Sequence, residues 1–277
     1  MKISVIIPIY KQEITYSEII SLKQCIRILG DHDIILVTYG GLNLSEYISY
    51  FNRVPYRVEL FPQHFFKDVS GYNKIMTSVS FYQRFIQYDY ILVYQLDAFV
   101  FEDELSYWCR QQFDYVGAPW FENHVVLGED AKLWRVGNGG FSLRKVLTYI
   151  NCLESKIIFP SFSDLLKSYR AMPVRFKIKK VDFILRRLFK SGGAIRDFVE
   201  NIEINEDAFW GMLIPRYIKT FNVPDPRIAS KFSFECNPRV LYELNQKELP
   251  FGCHGWQKYD LEFWKPHIEK FGYEINL

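Results

Sequence analysis

Several features are scarce or missing in this 277-residue sequence, and each absence argues against a class of protein. No apolar run approaches the ~20 residues of a membrane-spanning helix, and the strand-like run after Met1 and Lys2 is too short for a signal peptide. The five cysteines are odd in number, scattered and without a CxxC pair, which favours free thiols in a reducing compartment. The formal net charge is only +2. We therefore expect a cytoplasmic protein with no nucleic-acid partner.

The first half of the chain alternates between two kinds of apolar pattern. Short β-favouring runs predict buried strands, and stretches with helical spacing of apolar residues separate them. Strands alternating with helices in this way predict a mostly parallel sheet flanked by helices, an α/β class of the Rossmann-like kind. The predicted strands of this half cover residues 3–9, 33–38, 56–61 and 90–94.

The second half is less regular and shows no internal repeat. A strand is predicted over 113–120, a glycine-rich turn over 136–144 and the start of a helix over 205–210, and a tight loop covers 250–256. We expect a single domain over residues 1–277. Residues 1–120 would form its nucleotide-binding half and residues 121–277 its acceptor-side half.

A basic segment interrupts the second half at about residues 164–200. Lysine and arginine recur between Lys167 and Arg196, with Asp182 as the single acid among interleaved apolar residues. This pattern is typical of an amphipathic helix lying on an anionic membrane surface. A solvated insertion, or a helix packed on the main domain, explains the same residues.

One carboxylate stands at the end of the most apolar strand. The run 90–94 is unbroken, and Asp97 follows it among apolar neighbours. An ionised carboxylate in such surroundings is costly unless a cation or several donors meet it, and ligands of open α/β sheets bind at the carboxyl ends of the strands. Asp97 is therefore a candidate for a metal or sugar site. The alternative is a cap for a helix that begins near Phe101.

Five motifs in this order resemble a known class of enzymes. They are Tyr-Gln-Leu-Asp-Ala-Phe at 94–99, Tyr-Val-Gly-Ala-Pro-Trp at 115–120, Gly-Asn-Gly-Gly-Phe-Ser-Leu-Arg at 137–144, Glu-Asp-Ala-Phe-Trp at 206–210 and Gly-Cys-His-Gly-Trp at 252–256. With them the chain resembles a GT-A-fold glycosyltransferase, and more closely a family of bacterial and fungal sugar transferases long classed as a domain of unknown function. The resemblance covers nearly the whole chain apart from the basic segment.

The resemblance implies a divalent metal, Mn²⁺ or Mg²⁺, on a sugar-nucleotide diphosphate. GT-A enzymes hold this ion with an Asp-x-Asp motif, and here the motif reads Gln95-Leu96-Asp97, so only the second carboxylate is present. His254 is the candidate second metal ligand, because several GT-A families bring a late histidine to the metal. Two alternatives stay open: a loop histidine bonded to backbone, and a metal-independent enzyme in which Lys, Arg or His holds the diphosphate.

The resemblance also implies the catalytic base. Glu206 and Asp207 match an acidic pair at a helix start that faces the donor sugar, and inverting transfer needs a base for the acceptor hydroxyl. Asp207 is assigned as this base, with Glu206 orienting it or exchanging roles with it. Simple capping of the helix is the alternative, since acids at helix starts are favoured by the helix dipole.

Further residues are implied as contacts of the donor and of the acceptor or phosphate. Core packing is the alternative for the tryptophans, packing and helix capping for Tyr72 and Asn73, and a surface salt bridge for Arg144. The donor-binding set is Pro8, Ile9, Tyr10, Tyr72, Asn73, Gln95, Asp97, Asn138, Gly139 and Gly140, and the acceptor or phosphate set is Arg144, Trp120, Trp210 and Trp256.

The function implied is inverting transfer of a hexose from a nucleotide-diphosphate sugar to a glycan or lipid-linked glycan. The donor is expected to carry UDP, with galactose or galactofuranose conceivable, and the product to be a surface polysaccharide such as capsule or O-antigen. The enzyme would then be cytoplasmic, with a peripheral position at the inner face of the membrane as a second option. The alternatives are a retaining transferase or a sugar nucleotidyltransferase on the same fold, and a non-catalytic glycan-binding protein.

Overall fold

The computed structural model describes residues 1–122, 132–155 and 205–276. Elements are numbered in chain order within these residues. The strands are β1 Ile3–Pro8, β2 Asp33–Thr38, β3 Tyr56–Leu60, β4 Tyr90–Tyr94, β5 Phe99–Val100, β6 Tyr115–Val116, β7 Pro119–Phe121, β8 Leu133–Val136, β9 Phe141–Lys145, β10 Ser233–Phe234 and β11 Gly252–Cys253. The α-helices are α1 Tyr16–Leu29, α2 Ser45–Ser49, α3 Val69–Met76, α4 Val79–Arg84, α5 Leu105–Arg110, α6 Val146–Glu154, α7 Glu206–Ala208, α8 Ile214–Tyr217, α9 Pro226–Phe232, α10 Pro238–Leu244 and α11 Leu261–Glu269, with a 3-10 turn at Gln63–Phe66 and a π-helical turn at Phe209–Leu213.

A six-stranded mixed sheet forms the centre of the fold, in the order β3-β2-β1-β4-β9-β6. The first four strands of this order are parallel. β9 runs antiparallel to β4, and β6 runs antiparallel to β9. The predicted α/β class with a mixed, mostly parallel sheet flanked by helices is confirmed.

Alternation along the strands feeds two apolar cores on opposite faces of the sheet. In β4, Leu92 and Tyr94 pack into one core while Ile91 and Val93 pack into the other. A strand whose side chains are buried on both faces reads as a continuous apolar run, as this one does. A third core, built around Trp264 of α11, lies beneath the three-stranded sheet β10-β11-β5.

Two predicted elements are divided in the structure. The strand predicted over 113–120 becomes β6 and β7, which lie in different sheets. The residues from Ser70 to about Gln87 also predict one helix, opened by Ser70-Gly71-Tyr72-Asn73. In the structure it becomes α3 and α4, because the Ser78 side chain accepts a hydrogen bond from the Phe81 amide and begins a new helix.

The basic segment at about 164–200 lies outside the described residues. Within the described ranges, no helix combines the length and the apolar character that a bilayer crossing requires.

Candidate active site

A cavity of about 650 Å³ opens at the carboxyl ends of β1 and β4. Cavities that hold cofactors and small molecules fall mostly between ~300 and 1,000 Å³, and the crevice beyond the carboxyl ends of parallel strands is where open α/β sheets bind ligands. Thirteen residues named from the sequence line it: Pro8, Ile9, Tyr10, Tyr72, Asn73, Gln95, Asp97, Asn138, Gly139, Gly140, Glu206, Asp207 and His254. The structure thus brings residues from six separate stretches of the chain to one cavity.

The small sheet β10-β11-β5 assembles one wall of this cavity. Cys253 pairs with Phe99 on one side and with Phe234 on the other. The residues next to these strands, Asp97 before β5 and His254 after β11, are therefore brought side by side. The His254 Nε2 atom lies 3.0 Å from Asp97 Oδ1 and 3.1 Å from Gln95 Oε1.

Glu235, which follows β10, completes this wall on the other edge of the imidazole. Its Oε1 atom lies 3.1 Å from His254 Nδ1. Although burial disfavours the charged imidazole, Asp97 and Glu235 outweigh it and raise the pKa of His254 to about 10. Burial raises the pKa of Asp97, but the neighbouring His254 lowers it by more, so the net shift is downward.

Asp97 and His254 suit a divalent cation in their atom types and spacing. Without an ion, the 3.0 Å between the two atoms is an ion-paired hydrogen bond from Nε2–H to Oδ1. Two ligands at right angles, each ~2.1 Å from an ion, are also about 3.0 Å apart, so a cation would replace the Nε2 proton with little movement of either side chain. Glu235 faces the far nitrogen of the ring, so it orients the imidazole without reaching the same ion. Among the described residues no group of three or more His, Cys, Asp or Glu side chains could hold a metal, so an ion here depends on ligand or solvent oxygens to complete its shell.

The acidic pair occupies the start of α7. The Glu206 amide donates to Asn73 Oδ1 at 3.1 Å, which ties α7 to α3. Asp207 Oδ1 accepts from the Ala208 amide at 2.7 Å. Burial raises the pKa of Asp207 above its usual value, a bond from the Ala208 amide opposes this, and the Glu235 carboxylate adds to the rise.

Glu206 is held by a buried arginine. Arg144 of β9 is fully buried and donates to Glu206 Oε1 at 2.9 Å, to Ser142 Oγ at 3.0 Å and to the Tyr82 hydroxyl at 3.0 Å. Burial disfavours the guanidinium charge, but Glu206 raises the pKa of Arg144 well above its usual value. Burial also raises the pKa of Glu206, and Arg144 opposes that rise. Both members stay charged, because neutralising one would leave the other buried without compensation.

Two consecutive glycines lie against Glu206 and His254. A Cβ atom on Gly139 would lie 1.7 Å from Glu206 Oε1, and one on Gly140 would lie 2.0 Å from His254 Nε2. Only glycine leaves room here for backbone to run between the two groups. The Gly140 carbonyl accepts from the Gln95 amide at 2.7 Å, which fixes this backbone to the end of β4.

Four expected contacts are placed elsewhere by the structure. Arg144 is fully buried and paired with Glu206. It therefore neither contacts a substrate phosphate nor forms a surface salt bridge. Trp210 and Trp256 are fully buried core residues, whose indole nitrogens donate to Met76 O and Ser21 Oγ, both at 3.1 Å. Trp120 is half-buried and packs over Gly137, and it is not among the described residues that line the cavity.

Several residues that line the cavity were not identified from the sequence. Glu235 follows a strand of only two residues, too short to leave a periodic pattern. Phe65 and Phe66, both half-buried, lie in the 3-10 turn after β3. The remaining lining residues of this kind include Lys11, Lys67, Asp68, Asn205 and Gln257.

The sequence matches a family described as "Protein of unknown function (DUF5672)" over residues 55–254. This match covers more than half of the chain, and the protein belongs to that family. No curated protein sequence matches the chain.

Several solved structures are similar to the chain at low identity. The apo-form glycosyltransferase GlyE of Streptococcus pneumoniae is 13% identical with a TM-score of 0.45, over 97% of this chain, which spans 60% of GlyE. A glycosyltransferase involved in the glycosylation of the major capsid of PBCV-1 is 12% identical with a TM-score of 0.40, over 97% of this chain and 100% of that one. Mouse xyloside xylosyltransferase 1 is 12% identical with a TM-score of 0.47, over 92% and 97% of the two chains. Likenesses at this level do not identify an activity.

Proposed function

We propose that the protein is a glycosyltransferase that moves a hexose from a nucleotide-diphosphate sugar to a hydroxyl of a glycan acceptor. One observation carries this proposal: a single cavity is lined both by an Asp97–His254 pair suited to a cation on diphosphate and by the carboxylate of Asp207. Direct displacement at an anomeric carbon requires a base and a stabilised leaving group on opposite faces of that carbon, and a cavity lined by both groups can hold a sugar between them.

Asp97 and His254 would hold Mn²⁺ or Mg²⁺ at the diphosphate end. A bound divalent ion there would neutralise charge that develops on the departing diphosphate. Asp97 supplies a carboxylate oxygen and His254 its Nε2 atom, while Glu235 accepts from Nδ1 and fixes the ring. The side-chain oxygen of Gln95 lies beside the same His254 Nε2 atom.

Asp207 is the base of the proposed reaction. It takes the proton of the acceptor hydroxyl as the new bond to the anomeric carbon forms, and the bond from that carbon to the diphosphate oxygen breaks. The pair of electrons leaves with the nucleotide diphosphate, and the anomeric configuration inverts. The positive charge of Arg144 stabilises the ionised form of Glu206, whereas the hydrogen bond to Asp207 Oδ1 comes from the neutral Ala208 amide, and this difference favours Asp207 over Glu206 as the base.

The nucleotide end of the proposed site is aromatic. Tyr10, which is 57% exposed, lines the cavity together with Phe65 and Phe66, and all three belong to the first half of the chain. Flat rings of this kind stack on bases without selecting strongly among them. UDP is proposed as the nucleotide on the family resemblance, while the aromatic wall supports binding of a base in general, and a surface polysaccharide or lipid-linked glycan is proposed as the acceptor.

The test is a transfer assay with purified protein, Mn²⁺, a panel of UDP-hexoses and short glycan acceptors. Release of UDP with a product of inverted configuration by NMR supports the proposal. A retained configuration would assign a retaining transferase, and release of pyrophosphate would assign a nucleotidyltransferase. Glycan binding without turnover of any donor would make the protein a binding module.

A further inference from the structure

Strand β3 forms one edge of the central sheet and is exposed to solvent. Within the described residues its strand partner is β2 alone, so one side of its backbone has no strand beside it. Val58 is 38% exposed and Leu60 is 51% exposed. Both residues of β6, the strand at the other edge, are fully buried. An open strand edge is a template for pairing with a further strand, and β3 is therefore the candidate docking edge of this sheet.

The hydrogen bonds to β2 show which backbone groups of β3 face outwards. The Phe61 amide donates to the Thr38 carbonyl at 2.8 Å, and β3 pairs with β2 in parallel. Successive residues of a strand direct their N–H and C=O groups to alternate sides. Every second residue, counted back from Phe61, therefore bonds to β2. The residues between them, Tyr56, Val58 and Leu60, present both groups to the free side, where an incoming strand would bond to them.

The charges of β3 complement the same strand read in reverse. Arg57 and Glu59 flank Val58. In an antiparallel pair centred on Val58, Arg57 of each copy is opposite Glu59 of the other. These positions carry no hydrogen bonds between the two backbones, and side chains approach most closely there. Opposite charges stabilise such a pair and like charges destabilise it. A pair centred on Arg57 or on Glu59 would bring like charges together, so the charges select the register centred on Val58.

Neighbouring charges extend this complementarity. Arg57 lies 3.7 Å from Asp33, and Glu59 lies 3.2 Å from Arg84. Arg57 and Glu59 are on the same face of the strand because they are two residues apart. The pair centred on Val58 would therefore join the two ion pairs into one row of alternating charges across the contact. Exposed ion pairs add little affinity, but complementary charges fix the register and suppress other partners.

We propose that β3 pairs with β3 of a second copy of this chain, antiparallel and with Val58 on the twofold axis. The free groups of Tyr56, Val58 and Leu60 form about six hydrogen bonds between the two copies, and the exposed Val58 and Leu60 side chains become covered. A contact of five residues from each copy is small for a specific interface. The dimer is therefore weak, with a Kd of roughly 10–100 μM.

The proposed dimer is independent of the proposed function. The two sheets run in opposite directions, and each copy keeps its own cavity. Failure of the protein to bind any nucleotide sugar would count against the function and leave the dimer as it is, whereas a monomer that transfers a sugar would do the reverse.

The test measures the mass in solution of wild type and of two charge variants by sedimentation equilibrium. Arg57→Glu places an acid opposite Glu59 of the other copy, and Glu59→Arg places a base opposite Arg57. Each variant alone should raise the Kd by more than about tenfold. In an equimolar mixture of the two variants, opposite charges meet again at both positions, so a heterodimer should form about as tightly as the wild-type dimer. Recovery in the mixture also shows that both variants are folded.

Cysteine cross-linking locates the twofold axis. Residues opposite each other in a hydrogen-bonded pair have Cα atoms about 5.5 Å apart, within the range of a disulfide. Val58→Cys should therefore form a covalent dimer with oxidised glutathione. Leu60→Cys is the matched control, because position 60 is on the same face and more exposed, but its two copies lie roughly 14 Å apart. Wild type treated in parallel accounts for the half-exposed Cys236.

Three results would overturn the inference. The first is a wild-type protein that stays monomeric well above the expected Kd. The second is a dimer that persists unchanged in both single charge variants, since the contact would then lie elsewhere. The third is a mixture of the charge variants that remains as dissociated as its components. Cross-linking of Leu60→Cys as fast as that of Val58→Cys would contradict the register.

Discussion

His254 Nε2 lies 3.0 Å from Asp97 Oδ1, although Asp97 follows the fourth strand and His254 follows the eleventh. The antiparallel pairing of β11 with β5 produces this contact. Three short strands thus determine the geometry of the proposed metal and diphosphate position. A substitution that displaces the backbone beside this position should therefore weaken binding of the metal and of the diphosphate.

Gly140→Ala should weaken binding of Mn²⁺ and UDP together. The new Cβ atom would lie 2.0 Å from His254 Nε2 and 2.7 Å from Gln95 Oε1, so the imidazole must move away from Asp97. Calorimetric titration measures the loss, which we expect to exceed tenfold because a ligand is displaced rather than weakened. Gly40→Ala is the control, since a Cβ there meets nothing within 4 Å. Equal affinities for the two variants would contradict the placement of His254.

Asp207→Asn should lose turnover and keep binding. A positioned general base contributes about 10²–10⁴-fold to the rate. Asparagine has the size of aspartate and keeps an oxygen that can accept the hydrogen bond from the Ala208 amide. The measurement is kcat with UDP-hexose and acceptor, beside UDP affinity and melting temperature. Asp225→Asn serves as control, because Asp225 caps α9 and does not line the cavity. Turnover within a few-fold of wild type would assign the base to another group.

The acid limb of the pH profile of kcat should have its midpoint above the ordinary pKa of an aspartate. Burial and then the Glu235 charge raise the pKa of Asp207, and the base works only when deprotonated, so activity falls as pH falls through this raised pKa. Groups that face Asp207 are Glu235, Arg144 and His254. Glu235→Gln removes one of the charges that raise it and should move the limb to lower pH at saturating donor. An unmoved limb would show that Asp207 does not set it.

Much of the framework of the site could be predicted from the sequence. Asp97 stands out because a lone carboxylate follows an unbroken apolar strand, and the acidic pair stands out because it opens a helix. Both line the cavity. The continuous run 90–94 predicted a strand buried on both faces, and β4 has that environment.

The remaining features depend on contacts that the sequence does not encode locally. From the sequence alone Arg144 is interpreted as a surface or phosphate-binding arginine, because its partner Glu206 lies 62 residues away in the chain. Glu235 follows a two-residue strand whose existence depends on pairing with β11. The predicted strand 113–120 divides around Gly117, where the chain passes so close to the Gly137 carbonyl that a Cβ would lie 2.0 Å from it.

Arg144→Met should destabilise the fold strongly. Removing one member of a buried ion pair leaves the other charge uncompensated, at a cost of about 3–5 kcal/mol, and both side chains here are buried. Urea denaturation measures the free energy of unfolding. The double variant Arg144→Met/Glu206→Gln should be more stable than the single one, because no buried charge remains.

A surface pair provides the control for this prediction. Arg239 contacts Asp260 at 2.7 and 3.1 Å, yet its side chain is 62% exposed. Arg239→Met should therefore cost far less than Arg144→Met. Similar losses in the two variants would contradict a buried, charged Arg144–Glu206 pair.

Titration of UDP into the protein, first with Mn²⁺ and then with EDTA, tests the central claim most directly. The account predicts binding that requires the metal and is lost in Asp97→Ala. Binding that survives both EDTA and Asp97→Ala would contradict the metal position, and no binding of UDP under either condition would contradict the proposed transferase.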